Sequence, residues 1–206
     1  MSKIHFLMKP PKDVYLAFSG GVDSVVLLHN LRRRGYKVTL LFVHHLNVFA
    51  EQELEFCITV ASNFDIDYKA FTISPFDKST SLEAFWSNER NKIFQSMDKP
   101  VLVGHHLDDA VESHLMAACQ GTNRSLDPVN RNVYRPMIIN TKKTIIEYAN
   151  KYQLTYLTDP TNLDPSFNLR NKVRLQLVGN VKACFPGIYT TVKRLIVQKY
   201  KKGIVT

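Results

Sequence analysis

Hydrophobic positions change period repeatedly along this chain, and the changes mark out alternating strands and helices. Val14 to Phe18 is a short apolar run, followed by an apolar-periodic stretch from Val25 to Arg33. Lys37 to Val43 is β-branched and apolar, whereas Glu51 to Phe64 places Leu54, Cys57, Ile58, Ala61 and Phe64 at helical spacing. Asp67 to Ile73 alternates like a strand. Thr80-Ser81-Leu82-Glu83 fits a capping box, with Leu82, Phe85, Trp86, Ile93, Phe94 and Met97 continuing as a helix that Pro100 ends. Val101 to Gly104 is another buried-strand run and opens on a helix from Leu107 to about Ala118. Repeated βα units predict an α/β, Rossmann-like parallel sheet with helices on both faces and ligands outside the carboxyl ends of its strands. Ser19 to Ser24 and Gly104 to Asp109 fall at such ends.

After Gly121 the pattern loosens. Thr122 to Val133 is polar and aperiodic, which predicts a loop, and Tyr134 to Met137 resumes order. A helix from about Thr141 to Tyr152 turns Ile145, Ile146, Ala149 and Tyr152 inward, Thr155 to Leu157 reads as a last short strand, and Asp159 to Asn168 as another loop. A basic helix beginning near Leu169 carries Arg170, Lys172 and Arg174. A second, after Pro186-Gly187, sets Tyr189, Val192, Ile196 and Tyr200 against Lys193, Arg194, Lys199, Lys201 and Lys202. The 206 residues suit one well-cored domain over 1–157 with a short basic loop and helical tail, 158–206, packed on it.

Composition narrows the class. Hydrophobic content of 45% and charged content of 22% are those of a soluble globular protein, with no run long enough to span a membrane. Met1 to Lys12 has no secretory-signal pattern, so a cytoplasmic location is expected. Cys57, Cys119 and Cys184 are odd in number and widely spaced, which argues for buried thiols over a disulfide framework or a CxxC site. The formal net charge of +9 is uneven: residues 1–121 hold 12 Lys+Arg against 14 Asp+Glu, and residues 122–206 hold 15 against 4. Such a basic half suggests a nucleic-acid partner, with a merely basic soluble surface as the alternative.

The chemistry centres on Ser19-Gly20-Gly21-Val22-Asp23-Ser24, between the first strand and the first helix. Paired glycines let the backbone turn sharply and approach a ligand, and a helix N-terminus favours a phosphate. No lysine follows, so this is not a Walker A loop. Asp23 would repel phosphate unless a divalent cation bridged them, which reads as a Mg²⁺ contact. The competing reading is an ordinary capped turn. Farther on, Asp108, Asp109 and Glu112 cluster at a second strand end, where acids in a first helical turn are also favoured by the dipole. His105-His106 precede them without further zinc ligands at useful spacing, so a phosphate or adenine contact is the more economical role.

These residues carry a resemblance. SGGVDS resembles the PP-loop of the N-type ATP pyrophosphatases, and GHHLDDAVES is similar to the GHHxDDQxET motif of tRNA(Ile)-lysidine synthetases, with Ala110 and Ser113 in place of Gln and Thr. Ser81-Leu82-Glu83-Ala84 with Arg90, Arg135-Pro136, and Asp159-Pro160-Thr161-Asn162 with Arg170-Asn171 and Arg174 follow in the family's order. The turn after the second strand departs from it, retaining only His45. On this resemblance the chain is expected to be a short form, ending in a short helical tail without the C-terminal domains that many relatives use to grip tRNA.

The resemblance implies a PP-loop ATP pyrophosphatase fold of the adenine nucleotide alpha hydrolase type. It also implies adenylation of the wobble cytidine in a CAU-anticodon tRNA(Ile), followed by attack of free lysine. ATP would lie on Ser19, Gly20, Gly21, Val22, Asp23, Ser24, His45, Gly104 and His105, with Mg²⁺ on Asp23 and Asp109. Lysine would meet Asp108, Asp109 and Glu112. Transfer RNA would meet Arg90, Arg135, Arg170, Arg174, Lys193, Arg194, Lys199, Lys201 and Lys202, and Asp23, Asp109 and Arg174 would be catalytic. Two alternatives stand beside this reading: a PP-loop tRNA thiolase, and a catalytically idle tRNA-binding module.

Overall fold

The computed structural model describes residues 3–78, 80–122, 127–158, 164–166 and 168–205. Its strands are β1 (Asp13–Ala17), β2 (Lys37–His44), β3 (Tyr68–Thr72), β4 (Val101–Leu102), β5 (Val129–Asn130) and β6 (Val133–Tyr134). They form one sheet in the order β3-β2-β1-β4-β6-β5, parallel throughout except for the β5–β6 pair. The chain builds outward from β1 to β3 and then returns to lay β4 on the other side of β1. The order therefore reverses between β1 and β4, where a doubly wound sheet opens a crevice for ligands.

The helices are α1 (Val22–Arg33), α2 (Ala50–Phe64), α3 (Leu82–Gln95), α4 (Leu107–Cys119), α5 (Lys142–Lys151), α6 (Leu169–Lys172), α7 (Val178–Cys184) and α8 (Ile188–Val205). Because successive strand residues face opposite sides, Val14 and Leu16 of β1 join Leu40 and Phe42 of β2 in a core beneath α1, α2 and α5. Tyr15, Leu41 and Val43 point the other way and pack on Phe85 and Phe94 of α3. Central β2 is buried on both faces, hence its unbroken apolar run. A third cluster sets Val192 and Ile196 of α8 against Leu107, Ala110 and Val111 of α4, so the basic helix packs beside the helix that carries the acids.

Several sequence expectations need correction. The aperiodic stretch before Val133 contains β5 and one residue of the β5–β6 turn, Arg131, at φ +50°. Two-residue strands are too short to show a period. Thr155 to Leu157 contributes a single bridge, Leu157 to Gly21, in place of a strand. The cap of α3 is Ser81, not Thr80: the Ser81 hydroxyl accepts the Ala84 N–H at 3.3 Å, and Glu83 instead faces Arg170. On α5 the buried face is Ile145, Tyr148 and Ala149, while Ile146 is exposed. Ile58 and Phe64 of α2 are likewise exposed. Only Cys57 is a buried thiol; Cys119 and Cys184, at helix C-termini, are exposed. Asn123, Arg124 and the Asp159-Pro160-Thr161-Asn162 run lie outside the described residues. Among the described residues, no helix is long and apolar enough to cross a membrane.

Candidate active site at the reversal of strand order

The turn from β1 to α1 requires its glycines. Gly20 has φ +75°, and a Cβ there would sit 2.8 Å from a ring carbon of Phe56 and 3.1 Å from Leu157. The Leu157 N–H donates to the Gly20 carbonyl at 2.9 Å, so the segment after α5 braces the turn from behind. Gly21 is the N-cap of α1, and no side chain caps that helix. The Ser24 hydroxyl donates back to the Gly21 carbonyl at 2.8 Å and so fixes the turn. Gly104 brings the β4–α4 turn directly onto this one, since a Cβ there would meet the Asp23 carbonyl carbon and Cβ at 3.1 Å and the Ser24 nitrogen at 3.2 Å.

The helix α4 begins differently, with a complete capping box. His106 is the N-cap; its Nδ1 accepts the Asp109 N–H at 3.4 Å, and Asp109 Oδ2 accepts the His106 N–H at 2.9 Å. Accepting at Nδ1 leaves the imidazole proton on Nε2, which lies 3.6 Å from Asp23 Oδ1. One imidazole thus separates the two carboxylates expected to hold metal. Burial alone would raise the Asp109 carboxyl, but His106, His105 and the His106 N–H outweigh it and hold the group at about 2.

Each acid already faces a cation or a donor. Both Asp23 oxygens accept from Lys142 Nζ, at 2.7 and 2.9 Å. Arg174 grips Glu112 with two donors, at 2.6 and 3.0 Å, and reaches Asp109 Oδ1 at 3.3 Å. It projects from a single π-helical turn, Val173–Leu177, inserted between α6 and α7. Such turns re-aim side chains and recur at functional sites. Burial pushes the Glu112 carboxyl up against the pull of Arg174, while the same pair pushes Arg174 above its ordinary value despite burial. The forked geometry needs an ionised carboxylate, so Glu112 is charged in this pair. Asp108 stands apart from this pair. It accepts the Lys142 backbone N–H at 2.7 Å and the Tyr189 hydroxyl at 3.0 Å, tying α4 to α5 and α8. Burial and Asp108 together push the Tyr189 phenol up, so it remains a donor.

A basic layer lies beside the acids. Arg135 is buried; its Nε donates to His105 Nδ1 at 3.0 Å and its Nη1 to the Asp127 carbonyl at 2.8 Å. Arg90 pairs with His45 Nε2 at 3.1 Å. Burial, then Arg135, lowers His105 to about 3, and burial, then Arg90, lowers His45 to about 4, so both imidazoles are neutral acceptors at pH 7. Of the residues that the resemblance gives to tRNA, Arg135 is directed inward in this structure, because its guanidinium is spent on His105. Lys193, Arg194, Lys199, Lys201 and Lys202 are exposed on α8, with Lys199 ion-paired to Asp127.

Sequence reasoning missed Lys142, Tyr189 and the capping role of His106. Lys142 lies 119 residues from Asp23, and no local spacing announces that contact. His106 was detectable, since His106 to Asp109 has the three-residue offset of a capping box.

The PP-loop domain family matches residues 2–181. The tRNA(Ile)-lysidine synthase of Haemophilus ducreyi is 30% identical over 186 residues, covering 84% of this chain and 42% of that protein. The protein of the same name from Francisella philomiragia is 29% identical, covering 89% of this chain and 49% of its own length. The chain thus spans about half the length of these relatives. In fold it is similar to an NH3-dependent NAD synthetase from Campylobacter jejuni, at 17% identity and a TM-score of 0.51 over 95% of this chain and 88% of that one. With an uncapped glycine turn at the reversal of strand order and a match over nearly the whole chain, the protein belongs to the PP-loop domain family.

Proposed function

We propose that the chain is a cytoplasmic, ATP-dependent tRNA-modifying ligase that converts the wobble cytidine of a CAU-anticodon tRNA(Ile) to lysidine. One observation carries this reading: the open glycine turn abuts a rigid pair of carboxylates, Asp109 and Glu112, on a helix beside a basic one. The lysidine synthase relatives support the choice of substrates.

In the first step the cytidine 2-oxo oxygen attacks the α-phosphorus of ATP, the bond to the β-phosphate bridging oxygen breaks, and pyrophosphate leaves. The amide groups of Ser19 to Ser24 would cradle the phosphates, and His45, Gly104 and His105 would border the nucleotide. In the second step the lysine ε-amine attacks C2, the C2–O bond breaks, and AMP leaves. That amine arrives as an ammonium and must lose a proton. Asp109, held at about 2, stays ionised and attracts it, whereas Glu112, pushed up by burial, is the better proton acceptor. Arg174 would swing from the carboxylates toward phosphate as lysine enters.

Mg²⁺ fits Asp23 and Asp109 in donor chemistry, since both offer hard carboxylate oxygens and Asp23 already binds a cation, the Lys142 ammonium. Among the described residues no cluster of three or more His, Cys, Asp or Glu is placed to hold a metal, so phosphate oxygens and water would complete the shell. The ion, when bound, would neutralise charge on the departing pyrophosphate.

Incubating the protein with ATP, Mg²⁺, labelled lysine and total tRNA tests the reading directly. Label should enter tRNA with matching AMP release. AMP release that needs tRNA but not lysine would discard lysidine formation in favour of another modification.

A further inference from the structure

Two helices that begin at the crevice satisfy each other's first amide. The first N–H groups of a helix have no partner within it. At α4 the Leu107 N–H donates to the Asn140 carbonyl at 2.8 Å, and at α5 the Lys142 N–H donates to Asp108 Oδ2 at 2.7 Å. Leu107 and Lys142 are the first residues of their helices, so the two bonds form a reciprocal clasp between N-termini. Both acceptors are themselves fixed. Asn140 is buried; its side chain accepts the His5 N–H and donates to the His5 and Met137 carbonyls, at 2.7 to 2.9 Å. Asp108 is held from a third helix, because its Oδ1 accepts the Tyr189 hydroxyl of α8 at 3.0 Å.

Asp108 lies in the first turn of α4 yet does not cap it. His106 and Asp109 do that between them, and Asp108 stands 3.7 Å from His106 Nδ1, beyond hydrogen-bond distance. Both of its oxygens serve other helices. The Tyr189 ring packs in the cluster between α4 and α8, where phenylalanine would fill the same space with no polar end to match. What the clasp fixes is the root of the Lys142 side chain, whose ammonium lies on both oxygens of Asp23. Contacts therefore run unbroken from α8 to the glycine turn, through Tyr189, Asp108 and Lys142 to Asp23.

We propose that Asp108 and Tyr189 are positioning residues that hold Lys142 on Asp23, so that the basic tail helix completes the glycine turn. This withdraws Asp108 from the lysine-binding set that the resemblance implies, since both its oxygens already join helix to helix. The clasp stands without the proposed function; its effect on AMP formation rests on that reading.

Reductive methylation of the full chain, followed lysine by lysine by mass spectrometry, tests the clasp without any substrate. Lys99 is the control, since it too is paired with a carboxylate, Asp13, and its side chain is 31% exposed against 36% for Lys142. The Lys142 rate relative to Lys99 should rise at least twofold in Tyr189→Phe and further in Asp108→Ala. Global loosening would speed Lys99 as well and leave the ratio alone. An unchanged ratio in both variants overturns the proposal. Should Asp108→Ala fail to fold, Tyr189→Phe decides alone, since it loses only the hydroxyl.

A second arm reads the reaction. Whichever requirement shifts in Lys142→Met, for Mg²⁺ or for ATP, should shift the same way in Tyr189→Phe, and the double variant should match Lys142→Met alone. Additive effects in the double variant would give Tyr189 a role independent of Lys142 and overturn the proposal. Asp108→Asn keeps an acceptor for the Lys142 N–H but loses the charge; a tenfold rise in the lysine it requires would return Asp108 to the substrate and overturn the proposal as well. A raised methylation ratio in the variants of a protein whose parent forms no AMP with tRNA supports the clasp and refutes the proposed function.

Discussion

The two turns that meet at the reversal of strand order are built on opposite plans. The β1–α1 turn leaves its helix without a side-chain cap, with glycine at the one position of positive φ. The β4–α4 turn closes its helix with a reciprocal cap and locks Asp109 in place. On the proposed function, one is a receptor for negative charge brought from outside; the other is a fixed source of it. Their contact through Gly104 puts the two a few ångströms apart, and most of the chemistry proposed for this chain depends on that distance staying as it is.

The most damaging way to break this contrast is to remove the fixed charge while keeping its shape. Asp109→Asn can still accept from the His106 N–H but loses the anion, and Arg174 loses part of its counter-charge. ATP- and tRNA-dependent AMP formation should fall at least hundredfold, about 2.7 kcal/mol of transition-state stabilisation, with the circular dichroism spectrum unchanged. A loss below threefold would mean that Asp109 serves only as a cap.

Acid offers a second route, through the neutral imidazoles bordering the crevice. His45 and His105 are held near 4 and 3, below the ordinary 6.5. A histidine with a depressed folded pKa contributes stability that is complete above the unfolded value and is lost as pH falls toward the folded one. Stability should therefore decline from about pH 6.5 down to about 4, by up to about 1.4 kcal/mol per unit for each histidine. Urea unfolding at pH 7.5, 6.0 and 5.0 measures it, and His45→Gln should flatten the slope by about one proton. A slope unchanged in the variant would place the acid sensitivity elsewhere.

The contact between the turns can also be wedged. A Cβ at Gly104 would meet backbone of Asp23 and Ser24 near 3.1 Å, closer than most real contacts. Gly104→Ala should therefore raise the ATP concentration required by about tenfold while thermal stability drops by no more than about 1 kcal/mol. Unchanged ATP dependence would show that the turns tolerate separation.

What the sequence disclosed follows the same division. Both turns were legible because their function is local: a strand run, glycines or acids at fixed offsets, then a helical period. The parallel core was legible because alternation along β1 and β2 is imposed by burial on two faces. Hidden were the partners that reach in from elsewhere. Lys142, Arg174 and Tyr189 come to the acids from helices 62 to 119 residues away, and their spacing says nothing of that meeting. Arg174 was marked by resemblance alone, and the structure adds the π turn that aims it. The inward turn of Arg135 was hidden for a related reason, because a basic residue in a basic half reads as surface until a buried histidine is found against it.

The smallest expected effect is the most discriminating, because it asks what Lys142 is for. Its ammonium sits on both oxygens of Asp23, at 2.7 and 2.9 Å, on the open turn's only acid, and its side chain is 36% exposed. If the ammonium stands where a metal ion would, the two compete. Lys142→Met then lowers the Mg²⁺ concentration for half-maximal AMP formation by roughly threefold, about 0.6 kcal/mol, the scale of a partly exposed ion pair. If instead Lys142 follows the phosphates once nucleotide is bound, the variant leaves the Mg²⁺ requirement alone and raises the KM for ATP. Titrating Mg²⁺ at saturating ATP, then ATP at saturating Mg²⁺, separates the two in one preparation. The first result would make the receptor turn self-neutralised at rest, its acid held by a cation of the protein until a stronger one arrives. The second would extend the receptor beyond its backbone amides to a side chain from α5. A variant indistinguishable from the parent in both titrations would reduce the Lys142 contact to a surface ion pair and return Asp23 to acting alone.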